Sequence, residues 1–178
     1  MVRNLLLGCA GSIGVLFLPT LIIRLRKEYN TEIDVMMTAN AQKFLTPYSF
    51  EILTGKPVTT DMFVGYGREH ITLVESHDVF LIAPATASMI SKIAAGIADD
   101  IVSLSACVCM GSNTKLLVAP AMNAAMWSNP FVQANVEKLK GAGVHFVGPS
   151  VGTEIVKFKE ATTALASDDE IVEKLLEL

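Results

Sequence analysis

Cysteine and histidine are both scarce in this chain of 178 residues, with three of each. Neither residue type shows the spacing of a metal site, so the sequence predicts no bound metal. An odd number of cysteines, Cys9, Cys107 and Cys109, does not indicate a disulfide framework. Reduced thiols in a cytoplasmic protein are therefore expected.

Basic residues show no excess and form no stripe. Lys and Arg total 14 against 18 Asp and Glu, which gives a net charge of −4 and argues against a nucleic-acid partner. Long apolar runs are also missing, because the stretch before Cys9 is shorter than a signal-peptide core and Arg24 and Arg26 interrupt the next one. No membrane association is expected.

Apolar residues, in contrast, make up 51% of the chain and charged residues only 18%. A chain of this length and composition most simply forms one domain over residues 1–178 with a sizeable core. The apolar surplus predicts further burial between subunits of a homo-oligomer.

Strand-like and helix-like segments alternate along the chain. Strands are predicted at residues 2–7, 32–37, 79–83, 115–119 and 144–147, and helices at 12–28, 39–45, 87–98, 122–140 and 168–178. Pro19 is expected to kink the first helix or to delay its start. This alternation predicts a three-layer α/β fold, Rossmann-like or flavodoxin-like, with an open parallel sheet and helices on both faces.

Small and hydroxyl-bearing residues follow the first three strands. Gly8, Gly11, Ser12 and Gly14 follow the first, Thr38 follows the second, and Thr86 with Ser88 follows the third. Each segment alone is explained equally well by a tight turn or by capping of the next helix. Together, at one edge of a parallel sheet, they favour a site for the phosphate of a mononucleotide.

Two further side chains could carry chemistry. Asn123 stands where the fourth strand gives way to a helix, and its amide could hold a carboxylate or steady a developing charge, or could simply cap that helix. His70 lies in a predicted loop, residues 61–72, where it could act as a general base or be an ordinary solvated residue. His77, beside Asp78, is predicted to be structural.

Residues 120–127, Pro-Ala-Met-Asn-Ala-Ala-Met-Trp, fit the P-x-M-N-x-x-M-W motif of the homo-oligomeric flavin-containing cysteine decarboxylases. This resemblance extends over about residues 3–160, and within the family the chain is most similar to the lantibiotic, epidermin-type peptidyl-cysteine decarboxylases. His70 matches the family's active-site histidine, and residues 11–13 and 38–44 resemble its FMN-binding segments. The family's P-A-S-A-N-T motif appears as residues 84–89, with Ser88 and Met89 as departures.

The resemblance implies non-covalent FMN, with His70 and Asn123 as catalytic residues. The implied cofactor-binding residues are Gly11, Ser12, Ile13, Thr38, Phe44, Pro84, Ala85, Thr86, Ala87, Ser88 and Ala121. The implied substrate-binding residues are Met122, Asn123, Met126, Glu154 and Ile155. The flavin would oxidise the thiol-bearing carbon of a substrate cysteine to a thioaldehyde, which provides the electron sink for loss of CO2 and leaves an enethiol.

A substrate clamp is implied at about residues 148–161, and this segment contains no cysteine. Because the coenzyme A branch of the family uses a clamp cysteine to help reduce the enethiol, we expect the reaction to stop at the enethiol of a cysteine-terminated peptide. The alternatives are a phosphopantothenoylcysteine decarboxylase, a flavin prenyl transferase or a non-catalytic FMN-binding protein. The resemblance also implies trimers, in some members assembled into dodecamers.

Overall fold

The computed structural model describes residues 2–63, 67–154 and 159–178, and the side chains among these except at positions 153, 154 and 159–163. Its main element is a five-stranded parallel sheet with the strand order β2-β1-β3-β4-β5. The strands are β1 (Asn4–Cys9), β2 (Glu32–Met37), β3 (Val79–Ala85), β4 (Lys115–Pro120) and β5 (His145–Phe146). All five strands were predicted, although β5 is shorter than expected.

Eight α-helices are described around this sheet. They are α1 (Leu18–Tyr29), α2 (Pro47–Thr54), α3 (Glu69–Glu75), α4 (Ala87–Ala95), α5 (Ile101–Cys109), α6 (Ala124–Trp127), α7 (Pro130–Gly141) and α8 (Asp168–Glu177). Short 3-10 helices cover Ile13–Phe17 and Ala41–Lys43. None of the described helices is long and apolar enough to cross a membrane.

Two apolar layers, one on each face of the sheet, hold these elements together. Alternate strand residues point to opposite faces, so Leu5 and Leu7 join one layer with α1 and α8, while Leu6 joins the other with α4, α5 and α7. Because both faces are covered, the strands are apolar along nearly their whole length. This arrangement confirms the predicted three-layer α/β fold.

Several predicted helix boundaries are wrong for identifiable reasons. Pro19 occupies the first turn of α1, so the α-helix begins at Leu18 and a 3-10 helix precedes it. The helix predicted at 122–140 is divided into α6 and α7, because Asn129 caps a new helix that starts at Pro130. The segment predicted as a helix at 39–45 forms only a three-residue 3-10 turn, and α2, α3 and α5 were not predicted.

The predicted clamp segment, about residues 148–161, overlaps a β-hairpin outside the main sheet. It consists of β6 (Ser150–Glu154) and β7 (Lys159–Ala164), which pair antiparallel, and it lies between β5 and α8 in the chain. The hairpin is therefore a two-stranded sheet of its own.

Candidate active site

The segments that follow the strands meet at the carboxyl edge of the sheet. The backbone N–H of Thr38 donates to the carbonyl of Cys9 at 3.0 Å, and that of Ala10 donates to Pro84 at 3.2 Å. The N–H of Ala121 donates to Ala85 at 3.0 Å. These bonds place the ends of β2, β1, β3 and β4 side by side, as ligand sites in open parallel sheets require.

Three hydroxyl groups at this edge accept hydrogen bonds from the backbone. Ser12 Oγ accepts from the N–H of Gly14 at 3.4 Å, while Thr38 Oγ1 and Thr86 Oγ1 each accept at 3.2 Å from the N–H three residues on. Ser12 and Thr86 are therefore helix caps, as the capping alternative predicted, whereas the Thr38 hydroxyl stabilises the turn before the Ala41–Lys43 3-10 helix, whose N-cap is Asn40. Because each hydroxyl also carries a proton, and none of the three donates it to another described residue, the set can still donate to a phosphate.

Gly11 provides the close backbone approach in this region. A Cβ placed on Gly11 would lie 2.5 Å from the Cβ of Asn40, which is far below a normal contact distance. The turn after β1 therefore lies directly against the turn after β2, and only glycine fits between them. The free hydroxyl donors and this close packing fit the phosphate end of a flavin mononucleotide.

Asn123 stands at the end of the next strand segment and caps α6. Its Oδ1 accepts from the N–H of Met126 at 2.8 Å, which fixes the orientation of the amide plane. The side chain is exposed, and its amide nitrogen donates to no other described residue. Asn123 is therefore a cap whose two N–H donors are free to hold an anionic group such as a carboxylate.

His70 lies in the first turn of α3, so its predicted place in a loop is wrong. Helix α3 ends shortly before β3 begins, and a helix that connects two parallel strands runs back along the sheet, so we expect its first turn toward the carboxyl edge. The Nδ1 atom of His70 is buried and has no hydrogen-bond partner among the described residues. A buried ring nitrogen without a hydrogen-bond partner lowers the stability of the fold by about 1–3 kcal/mol. Such a group calls for an explanation, and a role in binding or catalysis is one.

The remaining predicted site residues divide by exposure. Exposed side chains that could contact a ligand belong to Ile13, Phe44, Ser88 and Met126, and Met122 is half-buried. Buried residues, which offer mainly backbone groups, are Pro84, Ala85, Ala87 and Ala121. The substrate-binding role of Ile155 lies outside the described residues, and Glu154 is described only as the last residue of β6.

The cysteines provide no reactive thiolate at this edge. Cys9 ends β1, but its side chain is fully buried and burial raises the pKa of its thiol well above the usual range. Burial likewise raises the pKa of Cys109 to about 12. Cys107 is exposed and lies in the last turn of α5.

Sequence reasoning did not identify Asn40 as a neighbour of Gly11, because nothing local marks a contact between two separate turns.

Among curated proteins, the chain is similar to the coenzyme A biosynthesis bifunctional proteins CoaBC. It is 35% identical to the Thermococcus kodakarensis protein over 178 residues, which is 98% of this chain and 41% of the relative. It is 34% identical to the Escherichia coli protein over 155 residues, 85% of this chain and 37% of the relative. The chain thus spans about two fifths of the length of these relatives.

Solved structures with the same fold include several cysteine decarboxylases. The FMN-dependent cysteine decarboxylase SpaF matches with a TM-score of 0.79 and 31% identity, with 97% of each chain covered. The peptidyl-cysteine decarboxylase EpiD matches with a TM-score of 0.85 and 26% identity over 99% of each chain. A cysteine-to-serine variant of PPC decarboxylase, complexed with pantothenoylaminoethenethiol, has a TM-score of 0.81 and 25% identity over 99% of this chain and 98% of that one.

These comparisons support the predicted resemblance to the flavin-containing cysteine decarboxylases as a family. They do not support a particular similarity to the epidermin-type enzymes. The curated relatives belong to coenzyme A biosynthesis, while the similar structures come from both branches. The model of the Flavoprotein family matches residues 2–178, nearly the whole length. The strand-end geometry and this match lead to one conclusion: the chain belongs to the Flavoprotein family.

Proposed function

We propose that this chain binds FMN and decarboxylates a substrate cysteine with a free carboxylate, leaving an enethiol. The observation that carries the proposal is the amide of Asn123. Its oxygen is held by the N–H of Met126, and its nitrogen donates to none of the residues that the structure describes, at the edge where the strand-end hydroxyls meet. A fixed, exposed pair of N–H donors is suited to orient a carboxylate that will leave as CO2.

The cofactor side of the proposal rests on the turns after β1, β2 and β3. Ser12, Thr38 and Thr86 would hold the phosphate with their free hydroxyl protons, and Gly11 allows the first two turns to approach each other. Bound FMN supplies the acceptor for a hydride from the β-carbon of the substrate cysteine. The exposed apolar side chains of Ile13 and Phe44 are available for the flavin ring.

His70 would move a proton during the same oxidation. Removal of a hydride from the β-carbon requires the thiol proton to leave as well, because a C=S bond forms. We assign that proton to Nδ1 of His70, which is the ring nitrogen without a partner among the described residues. A positioned base of this kind contributes about 10²–10⁴-fold to the rate.

Two carriers of the substrate cysteine are supported by different observations. The CoaBC relatives favour phosphopantothenoylcysteine, and they favour it more strongly than the sequence patterns favoured a peptide. A cysteine-terminated peptide is the second candidate, because the clamp segment 148–161 contains no cysteine and both SpaF and EpiD are structurally similar. In either case the missing clamp cysteine leads us to expect an enethiol product.

Mass spectrometry with both substrates tests this proposal. The FMN-loaded protein is incubated separately with phosphopantothenoylcysteine and with a cysteine-terminated peptide. Loss of CO2 and two hydrogens identifies the enethiol, whereas loss of CO2 alone identifies a saturated thiol and contradicts the expected end point. Bound flavin without conversion of either substrate supports the non-catalytic alternative.

Two matched variants test the role of Asn123 in the same assay. Asn123→Asp keeps the cap on α6 but replaces the amide donors with a carboxylate that repels the substrate, so product formation is expected to fall about 10²–10³-fold. Asn129→Asp is the control, because Asn129 also caps a helix through its Oδ1, which accepts from the N–H of Phe131, two residues on in α7, at 2.9 Å. Equal activity of the two variants would show that the Asn123 amide has no specific role in the reaction.

A further inference from the structure

The hairpin of β6 and β7 is attached to the sheet by buried residues at both ends. Before it, the N–H of Val147 donates to the carbonyl of Val118 in β4 at 3.1 Å. After it, Ala166 is buried in the apolar layer shared by α1 and α8. Gly148 has φ 72° and lies against Ala166, so a Cβ there would come within 3.1 Å of the Ala166 Cβ. The two ends of the hairpin are thus packed against each other.

The same hairpin borders the candidate active site. β7 lies against α6, the helix capped by Asn123. Directly after β7, the Cβ of Leu165 is 3.5 Å from the position that a Cβ on Gly14 would occupy, and Gly14 also faces Pro84. The hairpin and the residue that follows it therefore lie beside the strand ends.

A second attachment connects the hairpin to α8. The hydroxyl of Ser150, the first residue of β6, lies 2.7 Å and 2.6 Å from the two carboxylate oxygens of Glu170. The same carboxylate accepts from the N–H and the hydroxyl of Ser167, both at 2.8 Å, in the capping box of α8. Hydrogen bonds to an ionised carboxylate are short and strong, as observed here.

The carboxylate of Glu170 is held in its charged form by these contacts. The Ser150 hydroxyl, followed by the backbone and hydroxyl of Ser167, lowers the pKa of Glu170 below its usual value. Glu170 therefore has two structural roles. It completes the capping box of α8, and it holds Ser150, the first residue of β6, which lies 20 positions earlier in the chain.

We infer that Ser150 and Glu170 form a positioning pair that holds β6 and β7 beside the substrate site. The inference rests on the proposed function, because it assigns a substrate to the strand-end site. Neither residue touches the reacting atoms. Their effect is to hold β6, and through pairing β7, in the orientation that places β7 against the Asn123 helix.

Ser150→Ala tests the pair without removing the helix cap. It breaks the contact between the hairpin and Glu170 but leaves both bonds from Ser167 in place. We expect the KM for the cysteine substrate to rise about tenfold, the loss expected for one hydrogen bond to a charged group. The kcat at saturation and the affinity for FMN should change little, because the groups at the strand ends are untouched.

Ser167→Ala is the matched control. It weakens the cap of α8 and lowers thermal stability, but it retains the contact of Ser150 with Glu170. The KM of this variant should equal that of the wild type. If both variants raise KM equally, the effect reflects stability and the inference is wrong.

Hydrogen exchange provides a readout that does not depend on activity. In Ser150→Ala, the amides of β6 and β7 should exchange faster while those of β3 and β4 do not change, and in Ser167→Ala the hairpin should exchange as in the wild type. Unchanged hairpin exchange in Ser150→Ala overturns the inference, and so does faster exchange with an unchanged KM. If the wild type converts no cysteine substrate, the proposed function fails, and hairpin exchange still decides whether the pair holds the hairpin.

Discussion

Gly11 lies so close to Asn40 that a methyl group on the glycine would stand 2.5 Å from the Asn40 Cβ. Gly11→Ala must therefore move the turn after β1 away from the turn after β2, at a cost of about 1–3 kcal/mol. Ser12 and Thr38 are in these two turns, so the displacement should also weaken FMN binding. Because about 1.4 kcal/mol corresponds to a tenfold change in affinity, we expect the affinity for FMN to fall at least about tenfold. Quenching of flavin fluorescence on titration measures this loss.

The control for this prediction is a second glycine in open surroundings. Gly141 is the last residue of α7, and a Cβ there meets no atom within 4 Å. Gly141→Ala should leave FMN affinity unchanged and keep or slightly raise stability. FMN binding by Gly11→Ala that matches the control would show that the contact between the turns is not part of the cofactor site.

His70→Asn should slow turnover strongly without loss of flavin. We expect the rate of cysteine oxidation to fall about 10²–10⁴-fold, because Nδ1, which has no partner among the described residues, is the assigned proton acceptor. Stopped-flow absorbance of flavin reduction under anaerobic conditions measures this step directly. His145→Asn on β5 is the control and should reduce flavin at the wild-type rate. A wild-type rate of flavin reduction in His70→Asn would show that another group accepts the thiol proton.

Asp34 should make folding stability dependent on acid pH. Its carboxylate lies 2.9 Å from Nε2 of His77 and 2.9 Å from Nζ of Lys56. The hydrogen bond from His77, and then that from Lys56, lowers the pKa of Asp34 below its ordinary 3.8. This contribution is therefore fully present above about pH 4 and is lost as the pH falls through the lowered value.

Asp34→Asn should lower the free energy of unfolding at pH 7 by about 1–3 kcal/mol, because the buried His77 loses a charged partner. Its stability should also depend less on pH below about 4 than that of the wild type. Urea unfolding at several pH values measures both effects. Asp169→Asn is the control, since the Asp169 carboxylate is exposed and water screens its pair with Arg24. A similar loss in both variants would contradict the prediction.

Self-association is expected from the large apolar side chains on the surface of the described residues. Examples that are more than half exposed are Phe17, Tyr48, Ile52, Phe63 and Phe131. Surfaces of this kind are usually covered in an oligomer. Light scattering at micromolar concentration should give a trimer or a dodecamer of the 19.1 kDa chain. A monomer would contradict the predicted homo-oligomer.

Much of the fold could be predicted because strand signals are local. Runs such as Leu5 to Leu7 are apolar without interruption, as expected for strands buried on both faces. Helix α5 was not recognised for a related reason. Its sequence, Ile-Val-Ser-Leu-Ser-Ala-Cys-Val-Cys, is apolar nearly all round and shows no helical period. The break at Asn129-Pro130 did carry a signal, since a capping residue before proline often starts a helix.

The candidate site was predicted in part. Asn123, Thr86 and Ser12 were identified because a strand followed by a polar residue and a helix is readable within a few positions. The place of His70 in α3 and the burial of its Nδ1 were not readable in this way. Burial of one atom depends on the elements packed over it, and these come from distant parts of the chain.

The sequence alone determined which segments become the strands of the main sheet, which residues follow them and which of these could cap the next helix, because those properties depend on hydrogen bonds and periodicity within a few residues. Only the tertiary structure decided the strand order β2-β1-β3-β4-β5, the contact of Gly11 with Asn40 and the bond between Ser150 and Glu170. The physical reason is that all the central strands are buried on both faces, so their apolar patterns are alike and do not specify their neighbours. The strand order is therefore determined by strand pairing and side-chain packing between distant parts of the chain.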